Sequence, residues 1–200
     1  MAKAMKLSAS KLIFLLGCTF IFALSGRPQN LLLNPNADSG SDHWGVSGSA
    51  AVEEFSGRKV FVVRNGGSFF QEVTLSDSDV ERYTLLIGFG SSERINADGA
   101  ITGLPYLYGY MLNPNRREGS IQAYLQGQKM LATPSKLDDW TAMYGIFPVP
   151  KGTRSICFFL NQAERKHVPQ NGSAARFDNV GVYLFETEQD ALDFARAYTQ

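Results

Sequence analysis

The sequence is poor in the residues that build disulfide frameworks and metal clusters. It holds two cysteines, Cys18 and Cys157, and two histidines, His43 and His167, far apart along its 200 residues. If the N-terminal residues are removed as a leader, Cys157 is the one remaining thiol and forms no internal disulfide. Its place in the apolar run 156–160 predicts a buried, inert side chain. One cysteine and two distant histidines also exclude a Cys/His metal cluster.

The chain also lacks a block of basic residues. Its 19 Lys and Arg balance 19 Asp and Glu. Removal of a leader that carries three lysines leaves 16 basic side chains against the 19 acidic ones, a net charge of about −3. This composition argues against a nucleic acid or an anionic membrane surface as partner.

Catalytic motifs are missing as well. The sequence has no Gly-x-Ser-x-Gly elbow, no His-Glu-x-x-His helix and no phosphate-cradling glycine loop. The acidic pairs Glu53-Glu54 and Asp138-Asp139 are adjacent in sequence, so on a strand their side chains point to opposite faces. A glycosidase instead needs two carboxyls that converge on one bond. The sequence therefore predicts a protein that is not an enzyme.

The N-terminal residues carry an export pattern. Three lysines come before or at the edge of an uninterrupted apolar run, 12–24, and they are Lys3, Lys6 and Lys11. Small residues around Ala23-Leu24-Ser25 suit a signal peptidase. The run is shorter than the roughly 20 residues that cross a bilayer. The pattern predicts a cleaved signal peptide over 1–25 and a secreted or extracytoplasmic protein without a transmembrane span, with an uncleaved anchor as the alternative.

Residues 26–186 form a series of short strand patterns separated by turn residues, without an internal repeat. The predicted strands are 31–33, 51–55, 59–64, 68–75, 83–89, 104–112, 121–126, 140–148, 153–160 and 175–185. Ser56-Gly57 is typical of a hairpin turn, and Asn65-Gly66-Gly67 predicts a second break. Many turn-bounded strands with no helical pattern between them predict an all-β fold, an antiparallel β-sandwich.

The last segment, 187–200, has a helical pattern instead. Its apolar residues recur at helical spacing and are Ala191, Phe194, Ala195 and Tyr198. Thr187 precedes them as an N-cap, which predicts a short C-terminal helix over 188–198. Isolated helices of this length are marginal in water, so we expect this one to dock on an edge or end of its own domain.

Several short motifs follow one another in a characteristic order. They are Asn34-Pro-Asn-Ala-Asp38-Ser-Gly40 before Trp44, Gly66-Gly67 to Gln71-Glu-Val-Thr-Leu75 before Tyr83, Trp140-Thr-Ala-Met-Tyr144 with Phe147-Pro-Val-Pro150, and Phe177-Asp178-Asn179-Val180. The ordered set, over about 30–185, resembles carbohydrate-binding modules with the galactose-binding-domain-like β-sandwich, a jelly roll. The resemblance implies an exported, non-catalytic, lectin-like module with a glycan partner. The alternative is an extracellular protein-interaction or structural β-sandwich domain without a sugar site.

The resemblance also implies a structural Ca²⁺ that joins the N-terminal loop to the last strand. Matched position by position, its acidic ligands are Asp38 and Asp178. Ca²⁺ takes several oxygen ligands, backbone carbonyls included. This chain departs from the family pattern in having the shorter aspartate at one position and Asn179 in place of a second aspartate. The alternative is that Asp38 caps a turn and Asp178 bonds backbone amides.

Aromatic and amide side chains alternate on two predicted strands. Alternation puts every second side chain on one face. The residues that would share this face are Tyr106, Tyr108 and Tyr110 on one strand and Gln122, Tyr124 and Gln126 on the next. Rings for stacking and amides for hydroxyls predict a sugar-binding face. The alternative is that the tyrosines pack in the core or under another segment, while Trp44 and Trp140 are both expected in the core.

Overall fold

Eight β-strands and one α-helix make up the described part of the chain in a computed structural model. The described residues are 28–76, 81–92, 103–112, 130–132, 140–163 and 174–199, and the predicted leader lies outside them. The elements are β1 (Gly45–Phe55), β2 (Arg58–Thr74), β3 (Arg82–Ser92), β4 (Leu104–Leu112), β5 (Met130–Ala132), β6 (Thr141–Val149), β7 (Ser155–Ala163), β8 (Ala175–Phe185) and α1 (Glu188–Tyr198).

The strands form two packed layers that share the long strand β2. Neighbouring strands run in the order β5-β4-β7-β2-β8-β3-β6, with β1 on β2, and every pairing is antiparallel. Residues 68–74 of β2 pair with β7, and residues 61–63 pair with β8. We call β5, β4, β7 and the 68–74 part of β2 the front sheet, and β6, β3 and β8 the back sheet. The predicted antiparallel β-sandwich is confirmed.

The main core lies between these sheets and is built from alternate residues of each strand. On β4, for example, Leu107 and Met111 are buried while the tyrosines between them are half-buried. Trp44 is buried here, with its ring centroid 4.8 Å from that of Phe61, so its predicted core position is confirmed. Trp140 lies outside this core. It is half-buried in a separate small cluster, where it packs against Phe55.

Two local predictions of chain breaks have different outcomes. The hairpin turn at Ser56-Gly57 is confirmed, since both residues have positive φ, 53° and 79°. The break predicted at 65–67 is wrong, because β2 continues through it. Asn65 and Gly66 again have positive φ, 46° and 73°, and the pairing with β1 shifts register beside them. Turn-forming residues here make a β-bulge within one strand.

Differences also occur at two other predicted strands. Residues 31–33 form bends rather than a strand, since they are held by isolated bonds: the Leu31 N–H donates to the Val182 carbonyl at 2.9 Å, and the Leu33 N–H to the Gln71 side chain at 2.7 Å. The predicted strand 121–126 lies outside the described residues. The short strand β5 was not apparent from the sequence pattern.

The C-terminal helix begins and ends where the sequence predicted. The Thr187 hydroxyl oxygen accepts the Asp190 N–H at 3.1 Å as the N-cap. The helix docks on the outer face of the back sheet, so the expected docking on an edge or end is wrong. Its apolar stripe covers outward side chains of β3 and β8, namely Leu85, Ile87, Tyr183 and Phe185. Within the described ranges, no helix is long and apolar enough to cross a membrane.

Candidate functional site

Three tyrosines project from the outer face of the front sheet. Tyr106, Tyr108 and Tyr110 alternate on β4 with buried residues, and each is half-buried. The helix α1 does not cover them, because its rings Phe194 and Tyr198 contact the back sheet. The tyrosines therefore share one face, on the opposite side of the molecule from the docked helix.

The neighbours of these tyrosines come from β7 and β2. In the register of the sheet, Tyr108 lies opposite Phe159 of β7, which lies opposite Phe70 of β2. We call these three residues the aromatic row. One step along the strands, Tyr110 lies opposite Cys157, which lies opposite Glu72. Sequence reasoning missed the contribution of β7 and β2 to this face.

The rings of the row lie close together. Tyr108 and Phe159 stack with centroids 4.7 Å apart and 9° between their planes, and Phe159 and Phe70 are 5.7 Å apart at 33°. Stacked parallel rings cover each other's faces, so Phe159 occupies one face of the Tyr108 ring, whose polar group is its hydroxyl. The Asn161 side-chain amide donates to that hydroxyl at 3.3 Å. Burial raises the pKa of Tyr108, and its phenol stays neutral at physiological pH.

Phe70 ends the row and is its most accessible ring, with 36% of its surface exposed. Beside it lies a cavity of about 460 Å³. The cavity is lined by Leu33, His43, Gly45, Phe70, Gln71, Glu72 and Cys157. An apolar surface with a few polar groups is the usual composition of a small-ligand site.

The polar groups of the cavity differ in what they can do. The Gln71 amide is already engaged, since it donates to the Leu33 and His43 carbonyls at 3.1 and 3.2 Å. Glu72 is exposed and accepts the Ser155 hydroxyl at 2.6 Å, which orients its carboxylate. A carboxylate has further lone pairs for ligand hydroxyls. Glu72 and the exposed His43 are therefore the polar side chains of the cavity that can bind a ligand beside Phe70.

Cys157 is half-buried rather than fully buried, and it lies on the outer face beside Tyr110. Burial, with a smaller effect of the Glu72 charge, raises the pKa of its thiol to about 11. A protonated thiol is a poor nucleophile. The raised pKa agrees with the predicted inertness of Cys157. Its half-buried position differs from the predicted full burial.

The other predicted site residues of this face are Gln122, Tyr124 and Gln126, and they lie outside the described residues. Their part in a site stays a prediction. The sequence did place Phe159 in the predicted strand 153–160, next to Phe158 and Leu160, which are buried in the structure. No local pattern, however, shows that β7 lies next to β4.

The residues of the implied calcium site have other partners. The buried Asp178 carboxylate pairs through Oδ2 with Arg58 Nη1 at 2.7 Å and accepts the Asn179 N–H at 2.9 Å through Oδ1. Asp38 is exposed, and its carbonyl accepts from Lys59 Nζ at 3.0 Å. In the described ranges, no three His, Cys, Asp or Glu side chains come together as metal ligands. A carboxylate already paired with a guanidinium does not fit a bound cation.

The fold and this face define an antiparallel β-sandwich domain with an aromatic surface on one sheet. No protein-family model and no curated protein matches the sequence. Solved structures do match it. The enzymatically active domain of tailspike protein 4 from bacteriophage CBA120 aligns with a TM-score of 0.51 and 14% identity, over 78% of this chain and 21% of that one.

Two further solved structures align with this chain. The CBM22-1–GH10 modules of xylanase 10B from Clostridium thermocellum, complexed with xylohexaose, align with a TM-score of 0.51 and 17% identity, over 77% of this chain and 28% of that one. TmCBM61 with β-1,4-galactotriose aligns at 0.45 and 17%, over 80% and 99%. This chain thus spans less than a third of the first two chains, and the likeness shows the fold.

Proposed function

We propose that this protein is an exported, non-catalytic carbohydrate-binding module that binds a glycan on the front sheet. The observation that carries the proposal is the aromatic row, which ends at the accessible Phe70 ring beside a cavity and the Glu72 carboxylate. Apolar C–H faces of a sugar pack on such a ring, and sugar hydroxyls donate to carboxylate oxygens.

The geometry of the rings indicates which contact each aromatic side chain makes with the glycan. Phe70 supplies the stacking surface, because Tyr108 and Phe159 cover each other's faces. Tyr106, Tyr108 and Tyr110 contribute ring edges and hydroxyls at the end of the row where the glycan crosses β4. Because the row runs across β4, β7 and β2, a glycan that follows it crosses the strands.

Two further observations support a binding module over the alternatives. The xylanase chain that shares this fold includes a carbohydrate-binding module and was solved with xylohexaose. The helix α1 packs on the back sheet and leaves the tyrosines of the front sheet uncovered by its own rings. A domain whose tyrosines served only to dock its own helix would have the opposite arrangement. The protonated Cys157 thiol and the absence of catalytic motifs in the sequence support a non-catalytic role.

A glycan array probed with the protein lacking residues 1–25 tests the proposal. We expect saturable binding to at least one polysaccharide, weakened by Y106A, Y108A and Y110A by about 1–3 kcal/mol each where the ring is a contact. Y144A is the matched control, because Tyr144 is a 41% exposed tyrosine on β6 of the back sheet. Absence of glycan binding by a folded protein, or equal loss in Y144A, would overturn the proposal.

A further inference from the structure

Arg58, the first residue of β2, forms an ion pair with the buried carboxylate of Asp178 on β8. Asp178 is only 4% exposed, and its Oδ2 lies 2.7 Å from Arg58 Nη1. The Arg58 guanidinium carbon also lies 4.9 Å from the centre of the Trp140 ring. A guanidinium held between a carboxylate and an aromatic face is restricted in position on both sides.

The next residue of β2 binds the N-terminal loop. Lys59 Nζ donates to the Asp38 carbonyl at 3.0 Å. Two consecutive cationic side chains therefore contact the two residues that the family resemblance assigns to calcium. One contacts the last strand, β8, and the other contacts the loop.

Hydrogen bonds within the protein also hold the loop between residues 34 and 44. Its Asn34 carbonyl accepts the Trp44 indole N–H at 3.1 Å, and its Asn34 amide donates to the Gly40 carbonyl at 2.9 Å. The Pro35 carbonyl accepts the Val180 N–H of β8 at 3.2 Å. The two Asn34 bonds close the loop on itself, and the Val180–Pro35 bond attaches it to β8.

We propose that Arg58 and Lys59 replace the structural calcium ion that the resemblance implies. A Ca²⁺ bound to Asp178 would lie about 2.3–2.6 Å from its ligand oxygen, and so within a few ångströms of the guanidinium charge. Like charges so close repel strongly at a partly buried site. Arg58 thus neutralises the buried Asp178 carboxylate, Lys59 binds the loop through the Asp38 carbonyl, and the fold does not depend on calcium. This inference is independent of glycan binding.

Thermal unfolding and calorimetric titration of the purified protein with CaCl₂ after EDTA treatment test the proposal. We expect the same melting temperature in EDTA and in millimolar Ca²⁺, and no saturable heat of binding. A rise in the wild-type melting temperature with Ca²⁺, or saturable binding, would overturn it. This arm needs no variant, so the proposal stays testable even if the variants below fail to fold.

Three variants test whether the Arg58–Asp178 pair stabilises the fold: R58M, R58M/D178N and R196M. R58M leaves a buried carboxylate without its partner, and we expect a lower melting temperature, partly restored in R58M/D178N. A melting temperature that rises with Ca²⁺ in R58M, but not in the wild type or the other variants, supports replacement of the ion by Arg58. R196M is the matched control, because Arg196 also pairs with an aspartate, Asp193 at 3.6 Å, but both side chains are about 60% exposed. An exposed ion pair contributes little to stability. An R58M melting temperature equal to that of the wild type would overturn the proposal.

Discussion

The ring of Phe70 lies directly over Gly45. A Cβ atom at Gly45 would come within 2.2 Å of Phe70 Cζ, so the ring occupies the space that any other side chain would take. Gly45 is opposite Phe70 in the β1–β2 pairing, which explains why the two meet. A glycine at this position of β1 therefore permits the ring orientation at the end of the aromatic row.

We expect G45A to weaken glycan binding by about 1–3 kcal/mol, the scale of a lost binding hot spot. The added methyl displaces the ring tip, which is the flexible end of a side chain, so the free energy of unfolding should change by less than about 1 kcal/mol. Titration calorimetry and urea denaturation measure the two effects. Unchanged glycan affinity in G45A would contradict the role of the Phe70 ring.

Two adjacent phenylalanines of β2 provide a test of the sandwich itself. Phe69 is completely buried in the core, whereas Phe70 is 36% exposed on the front face. F69A should lower the free energy of unfolding by about 3–5 kcal/mol, because it leaves a core cavity. F70A should cost far less stability and should weaken glycan binding. Urea denaturation compares them, and equal destabilisation would show that Phe70 acts as a core residue.

Removal of residues 188–200 should lower the free energy of unfolding by a few kcal/mol. The deletion strips α1 from Leu85, Ile87 and Tyr183, whose apolar surface then meets water. Urea denaturation measures the change. Q189A is the control and should have almost no effect, because Gln189 is exposed and its side-chain amide donates to Asp193 of the same helix. Equal stability of the truncated protein would contradict the docking of the helix.

Titration of the Tyr198 phenol should lower the free energy of unfolding at alkaline pH. Its hydroxyl donates to the Asn179 carbonyl at 2.8 Å, and burial is the main cause that raises its pKa above the ordinary value. The folded state therefore keeps a proton that the unfolded state loses near pH ~10, and stability falls as pH rises above ~10. Y198F removes this contribution.

We expect the urea midpoint of Y198F to fall less steeply than that of the wild type between pH ~9 and ~11. The burial-raised pKa values of Tyr183 and Cys157 keep some slope in both proteins. Y144F controls for the substitution at an exposed tyrosine and should match the wild type. A Y198F slope equal to that of the wild type would show that the Tyr198 proton does not contribute.

Export with cleavage near Ser25-Gly26 is a prediction from the sequence. The basic residues and the apolar run 12–24 are typical of a signal peptide. N-terminal sequencing of the exported protein should begin near Gly26. A retained Met1 in membrane-bound material would indicate an uncleaved anchor instead.

Local pattern determined much of this protein. Alternation with period 2 put Tyr106, Tyr108 and Tyr110 on one side of a strand whatever its neighbours. Helical spacing and the Thr187 cap likewise defined α1 from residues a few positions apart. These features depend on the backbone geometry of one segment, so the sequence alone predicts them.

Tertiary structure decided which segments meet. Phe159 and Phe70 lie beside Tyr108 only because β4 pairs with β7 and β7 with β2, between strands far apart in the chain. The same applies to Arg58 and Asp178, which sequence separation hides from any local pattern. Strand pairing and ion pairing depend on the whole packing arrangement, where each contact must be compatible with all others. For this reason the sequence predicted a tyrosine face and a sandwich, whereas the Phe70 end of the row and the guanidinium at Asp178 became visible only in three dimensions.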